Sequence, residues 1–302
     1  MLAAALTSCF FALSALSGSR AAALVGPVNA NFIRLSLAAF LLSVYAFTFG
    51  QGFHGPGLSV FLISGLVGFG LGDIALFQAY ERIGSRRTIL LVQCLAVPFA
   101  ALTEWFWLGT QISLQQIMWI TLILAGVSLV MIRRQESIVA NSVLWPGIGF
   151  GVLAALGQGW GAVLSRKAIS LNQAAGFELD GWTAAFQRIM AGLVVAAFFY
   201  VWFRCKRRSL QQSRLAHLPP EARLRALMFC FANGLAGPVL GVGCYQWALT
   251  TAPSGIVLAI VATTPIVVLP LAWLLEGDKP TWLSVSGSLL AISAVVGLLF
   301  AS

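Results

Sequence analysis

A lone carboxylate inside an apolar run is the first group in this sequence that could do chemistry. Asp73 is the single ionisable residue in "LVGFGLGDIALF". In hydrocarbon a charge costs about 3 kcal/mol or more unless it faces a cavity or a partner. Asp73 could carry a proton or hold the amine of a substrate. It could equally be the structural partner of an arginine such as Arg34, in "NANFIRLSLAAF". Arg34 and Arg188, the latter in "GWTAAFQRIMAGLVV", each stand near the start of an apolar run. They could bind an anionic group, gate by ion pairing, or reach out to lipid headgroups. The second half adds amides and an aromatic hydroxyl among glycines: Gln158 in "ALGQGWG", Asn233 in "CFANGLAGP", and Tyr245 and Gln246 in "GCYQWAL". Such side chains could line a path for a small solute, and they also serve as glue between helices. Pro98 and Pro265 interrupt apolar runs, where a missing N–H frees a carbonyl that can help bind a ligand.

Other chemistries lack their residues. His54 and His217 are isolated, and the cysteines show no paired spacing, so neither a metal site nor a disulfide framework is expected. "GFGLGD" resembles a nucleotide fingerprint but lies inside an apolar segment rather than between a soluble strand and helix. No acid/base constellation converges, so an enzyme is not expected, nor is a cofactor.

These residues must be positioned by membrane helices. Charged residues make up 9% of the 302 positions, against about 25% in an ordinary soluble domain. Too little polar surface remains to cover a water-soluble fold. The net charge of +9 does not form the basic face that nucleic acid needs, because the basic residues lie between apolar segments. Those segments are long enough to span a bilayer as helices and lack the short alternation of a β-barrel. Their expected bounds are 2–19, 28–49, 58–79, 86–108, 112–132, 143–165, 183–203, 224–248, 253–275 and 281–301. The first is interrupted by "SGSR" but lacks the basic start of a signal peptide.

With these ten spans, fourteen of the eighteen lysines and arginines fall in or at the edges of alternate connections, and only Arg166 and Lys167 fall in the others. Positive loops stay cytoplasmic, so both termini are expected outside and Arg82, Arg86 and Arg87 mark a cytoplasmic turn.

The two halves resemble each other. Gly72 and Ala79 parallel Gly241 and Ala248, Pro98 parallels Pro265, and Arg34 parallels Arg188. Val242 stands where the first half has Asp73. Five helices per half, an odd number, predict an inverted repeat, the architecture many secondary transporters use for alternating access. The expected units are 1–134 and 135–302.

On the paired arginines, the "AYERIGSRR" turn, the two prolines, the turns "LGTQISLQQ" and "EGDKPTWLS", and the small-residue helices holding "LILAG" and "LLAISAVVG", the chain resembles the drug/metabolite transporter superfamily in its ten-helix form with two EamA-type domains. The turn after the fourth helix carries Thr110 where that family commonly has an acid, while the second half keeps Asp278. The resemblance implies an all-α polytopic protein of a bacterial inner membrane. It implies secondary transport, with export the commonest direction, of an amino acid or related metabolite, with protons a candidate coupling ion. The alternative is a channel or a structural or receptor protein. A channel should offer charge rings or filter repeats, and the sequence has neither.

Overall fold

The computed structural model describes residues 1–131, 141–206, 219–276 and 281–301. Every regular element among them is helical, as hydrocarbon requires of a backbone that must satisfy its own polar groups. The helices are α1 (Leu2–Val25), α2 (Pro27–Thr48), α3 (Leu58–Gly84), α4 (Arg87–Leu108) and α5 (Leu114–Met131) in the first half. The second half holds α6 (Asn141–Ala174), α7 (Gly181–Lys206), α8 (Pro220–Thr251), α9 (Ser254–Val261 continuing as Thr264–Glu276) and α10 (Trp282–Phe300). Among the described residues nine helices are long and apolar enough to cross a membrane, and the shorter Leu114–Leu129 stretch of α5 is also apolar. The chain is a polytopic helical membrane protein. The expected boundary at 134/135, Asp278 and His217 lie outside the described residues.

Several helix ends differ from those expected. "SGSR" does not end α1, because the Ser17 and Ser19 hydroxyls turn back onto the carbonyls of Leu13 and Leu16, at 2.7 and 3.1 Å. The break comes at Gly26, whose φ of 86° suits glycine, and Pro27 starts α2. Gly84, with φ 77°, separates α3 from α4. The helix expected at 143–165 runs on to Ala174. The ninth span is not continuous: it breaks at Ala262 and Thr263, just before Pro265. Pro265 cannot donate to the carbonyl of Val261, and the Thr264 hydroxyl takes that carbonyl at 2.6 Å.

Glycine governs the packing. α6 lies along α3 and α4, α1 along α8 and α9, α2 against α7, and α5 against α10. A Cβ on Gly157 of α6 would come within 2.7 Å of Gly72 Cα, and one on Gly126 of α5 within 2.7 Å of Gly287 O. Gly126→Leu should therefore force α5 and α10 apart at a cost of about 1–3 kcal/mol. Thermal unfolding in detergent checks this, and a variant as stable as wild type would rule out the tight crossing. Phe40, Phe47, Trp145, Trp160, Trp202 and Trp247 are exposed on the outer surface, where lipid and the membrane interface accept them.

Candidate functional site

The site is built around two matching irregularities. α3 widens to a π-helical segment at Leu66–Gly72, and α8 does the same at Leu235–Gly241. Each segment is seven residues of glycine and apolar side chains and ends at the position before Asp73 or Val242. Wide turns of this kind expose backbone and often mark functional places in helices. An arginine from the other half lies across each. A Cβ on Gly68 would sit 3.1 Å from Arg188 Nη2, and one on Gly237 would sit 3.6 Å from Arg34 Nη1. The missing side chains leave room for the two guanidinium groups.

Between these segments is a cavity of about 140 Å³. Of the residues expected at the site, it gathers Arg34, Asp73, Gln158, Arg188, Asn233 and Tyr245. Arg34 and Asp73 form a buried ion pair, with Arg34 Nη2 donating to Asp73 Oδ2. Arg34 Nε also donates to Asn31 Oδ1 at 3.3 Å, and the guanidinium lies over the Phe77 ring at 5.1 Å. Arg34 is thus committed on three sides.

Arg188 differs. It is 4% exposed and lies over the Phe69 ring at 5.1 Å. It has no hydrogen bond or ion pair with any described residue, and its Nε is wholly buried without a partner. Asn233 Oδ1 accepts from Ser14 Oγ at 2.6 Å, while its Nδ2 is buried and unpartnered. The Tyr245 hydroxyl is likewise buried and unpartnered. Gln158 Nε2 donates to Gln93 Oε1 at 3.0 Å.

Three expected residues lie outside the lining. Gln246 is fully buried beside it, donating to Ser165 Oγ at 3.3 Å. Pro98 sits within α4, where Gly159 of α6 packs against its turn: a Cβ there would lie 2.9 Å from Ala96 O. Pro265 follows the break in α9, and its neighbour Thr264 reaches the cavity instead.

Sequence reasoning missed Ser14, Tyr80 and Gln93 in the lining. Gln93 had a signal, as a solitary amide in "LLVQCLAV". A second polar cluster was also missed. Glu104 of α4 is 1% exposed. It accepts from Ser254 N at 2.8 Å and from Ser254 Oγ, and lies 3.7 Å from Arg166 Nε. Arg166 donates onward to Leu249 O at 2.6 Å. These contacts tie α4, α6, α8 and α9 together at one end of the bundle. The cavity extends toward the opposite end, where Gly18, Tyr80 and Ile89 lie. Phe61, Val97, Ala100, Ile123 and Leu258 fill the space on the Glu104 side.

The family model for EamA-like transporters matches residues 1–132 and 145–300. The chain belongs to that family. An EamA-like chain is a multi-pass membrane transporter and not an enzyme. The fold of this EamA-like chain is also that of a protein of known crystal structure, with TM-score 0.71 over 99% of this chain and 96% of that one. Their sequences are 13% identical, so the likeness speaks for the fold alone. No curated protein matches the sequence at a significant level.

Proposed function

We propose that this EamA-like transporter is a secondary active exporter of a small organic metabolite, an amino acid or related solute, in a bacterial inner membrane. It works by alternating access between two inverted five-helix repeats. The observation that carries the reading is a central cavity, with polar groups set in an apolar lining, shared by both halves of the chain. The packing supports the repeat. The α1–α8 contact has its counterpart in α6–α3, and the α1–α9 contact in α6–α4. The wide turns fall at matching places, each crossed by the other half's arginine. Such a pair of halves can rock about a fixed central site.

With both termini outside, the cavity extends toward the cytoplasm, and the Glu104, Arg166 and Ser254 contacts close the outer end. Proton coupling runs through Asp73: protonation removes the charge that holds Arg34 and loosens the α2–α3 pair. Gln158, Asn233 and Tyr245 line the solute path, whereas Gln246, Pro98 and Pro265 shape the helices around it.

Flux into inside-out proteoliposomes, screened over amino acids and carboxylates with and without a pH gradient, tests this. Saturable uptake with counterflow is expected. Flux that does not saturate would make the protein a channel. Asp73→Asn, which cannot titrate, should transport with at least a severalfold weaker response to the gradient. An unchanged response would remove Asp73 from coupling.

Orientation has its own test. In a cysteine-free background, His54→Cys should react with a membrane-impermeant thiol reagent in intact cells, and Ser85→Cys should react only after the membrane is opened. The reverse pattern would turn the protein over.

A further inference from the structure

We infer that the cavity takes an organic anion and holds its carboxylate at Arg188. The inference narrows the transport reading from amino acids and related solutes to carboxylates without an ammonium group, and rests on it for the claim that the bound molecule is cargo.

The argument is one of charge and unmet donors. The described lining holds one acid and two arginines. Asp73 is spent on Arg34, which has Asn31 and Phe77 as well. The second half supplies no equivalent acid, because Val242 occupies the place that matches Asp73. Arg188 therefore has no direct hydrogen-bond or ion-pair partner among the described residues and feels Asp73 only at a distance, although it is 96% removed from solvent. A buried charge in that condition is expensive, and evolution of a purely structural site would pair it or replace it by an apolar residue.

The neighbours point to the same ligand. Tyr245 brings a hydroxyl and Asn233 an amide N–H, and neither has a partner. In the described lining Arg188 Nε and Asn233 Nδ2 are unmet donors, the Tyr245 hydroxyl can donate, and the one carboxylate is paired, which describes a receptor for an acceptor. An ammonium group would meet the guanidinium with like charge, and its one acid would have to be pulled from Arg34. A planar guanidinium matches a carboxylate with two parallel N–H···O bonds. Phe69 backs the guanidinium from one side, at 5.1 Å, which fixes its plane.

Size and polarity narrow the class. About 140 Å³ is close to the volume of an engineered cavity that takes a benzene ring. Phe11, Phe77 and Leu76 face this space alongside the polar groups. The ligand is thus a small carboxylate with an apolar body.

Matched compounds make the test independent of any one variant. Purified full-length protein in detergent is titrated by calorimetry with benzoate, benzamide and benzylamine, and with butyrate, butyramide and butylamine. At least one carboxylate should bind, with its amide about 10–100-fold weaker and its amine undetectable. Arg188→Gln should lose the carboxylate by a similar factor. Arg188→Lys, which keeps the charge but not the fork, should retain part of it. Tighter binding of an amine, equal binding of acid and amide, no binding of either carboxylate, or full binding by Arg188→Gln each overturns the inference. Inorganic phosphate is the control for a bare oxyanion: binding tighter than both carboxylates would overturn the carboxylate assignment. Flux separates the two readings. A carboxylate that binds but never crosses a proteoliposome membrane ends the transport reading and leaves the charge assignment standing. Flux of the amines without the carboxylates does the opposite.

Discussion

Arg34→Met with Asp73 left in place should lower the stability of the folded protein by about 3–5 kcal/mol. The pair is buried, and losing the arginine leaves a carboxylate in a low-dielectric interior with no counter-charge. Asp73→Leu should do comparable damage by stranding Arg34. The double variant Arg34→Met, Asp73→Leu should recover most of the loss, because two apolar groups of similar volume can replace a buried ion pair at little cost. Denaturant unfolding of the purified variants in detergent measures the cycle. Single variants within about 1 kcal/mol of wild type, or a double variant as poor as the sum of the two, would show that the pair does not hold α2 to α3. The recovered double variant also isolates function. If it folds well but its transport no longer responds to pH, the pair serves coupling as well as packing.

The second large effect belongs to a glycine. A Cβ on Gly65 would overlap the backbone carbonyl oxygen of Arg188, with no flexible side chain able to give way. Gly65→Ala should push α7 off α3, cost about 3 kcal/mol or more, and move Arg188 out of register with the cavity. Its counterpart offers the control. A Cβ on Gly234 would lie 3.1 Å from Arg34 O and 2.9 Å from Leu37 Cδ2, a side-chain end that can move. Gly234→Ala should therefore be the milder change. Thermal unfolding of the two variants side by side decides. Equal stabilities would mean that the α3–α7 crossing has slack.

The helices, the stranded aspartate and the paired arginines were legible in the sequence because hydrophobic length and misplaced charge are properties of single segments. The wide turns were not. A π-helical segment is a local widening of the hydrogen-bond ladder, and "LVGFGLG" carries no local signal for it. Which charge pairs with which was also tertiary. Asp73 had a proton role and an Arg34 partnership open to it, and packing brought Arg34 to it. One division between neighbours follows from helix geometry. Tyr245 and Gln246 are consecutive on a helix, so they point about 100° apart, and a cavity on one side could take one of them. Tyr245 faces the cavity and Gln246 turns to Ser165. The break in α9 comes just before Pro265 because a proline releases a carbonyl one turn before itself, and Thr264 then secures it there.

The unpaired Arg188 has an electrical consequence. A central site that switches sides carries its net charge through part of the membrane field, at about 2.3 kcal/mol per elementary charge per 100 mV. With the ion pair neutral, the described lining carries one positive charge, and the monoanion proposed above would cancel it. An inside-negative potential therefore draws the empty carrier toward the cytoplasm, while the loaded carrier moves without electrical work. For the exporter proposed above, the resting voltage of the cell would return the transporter, each cycle, to the side where it loads.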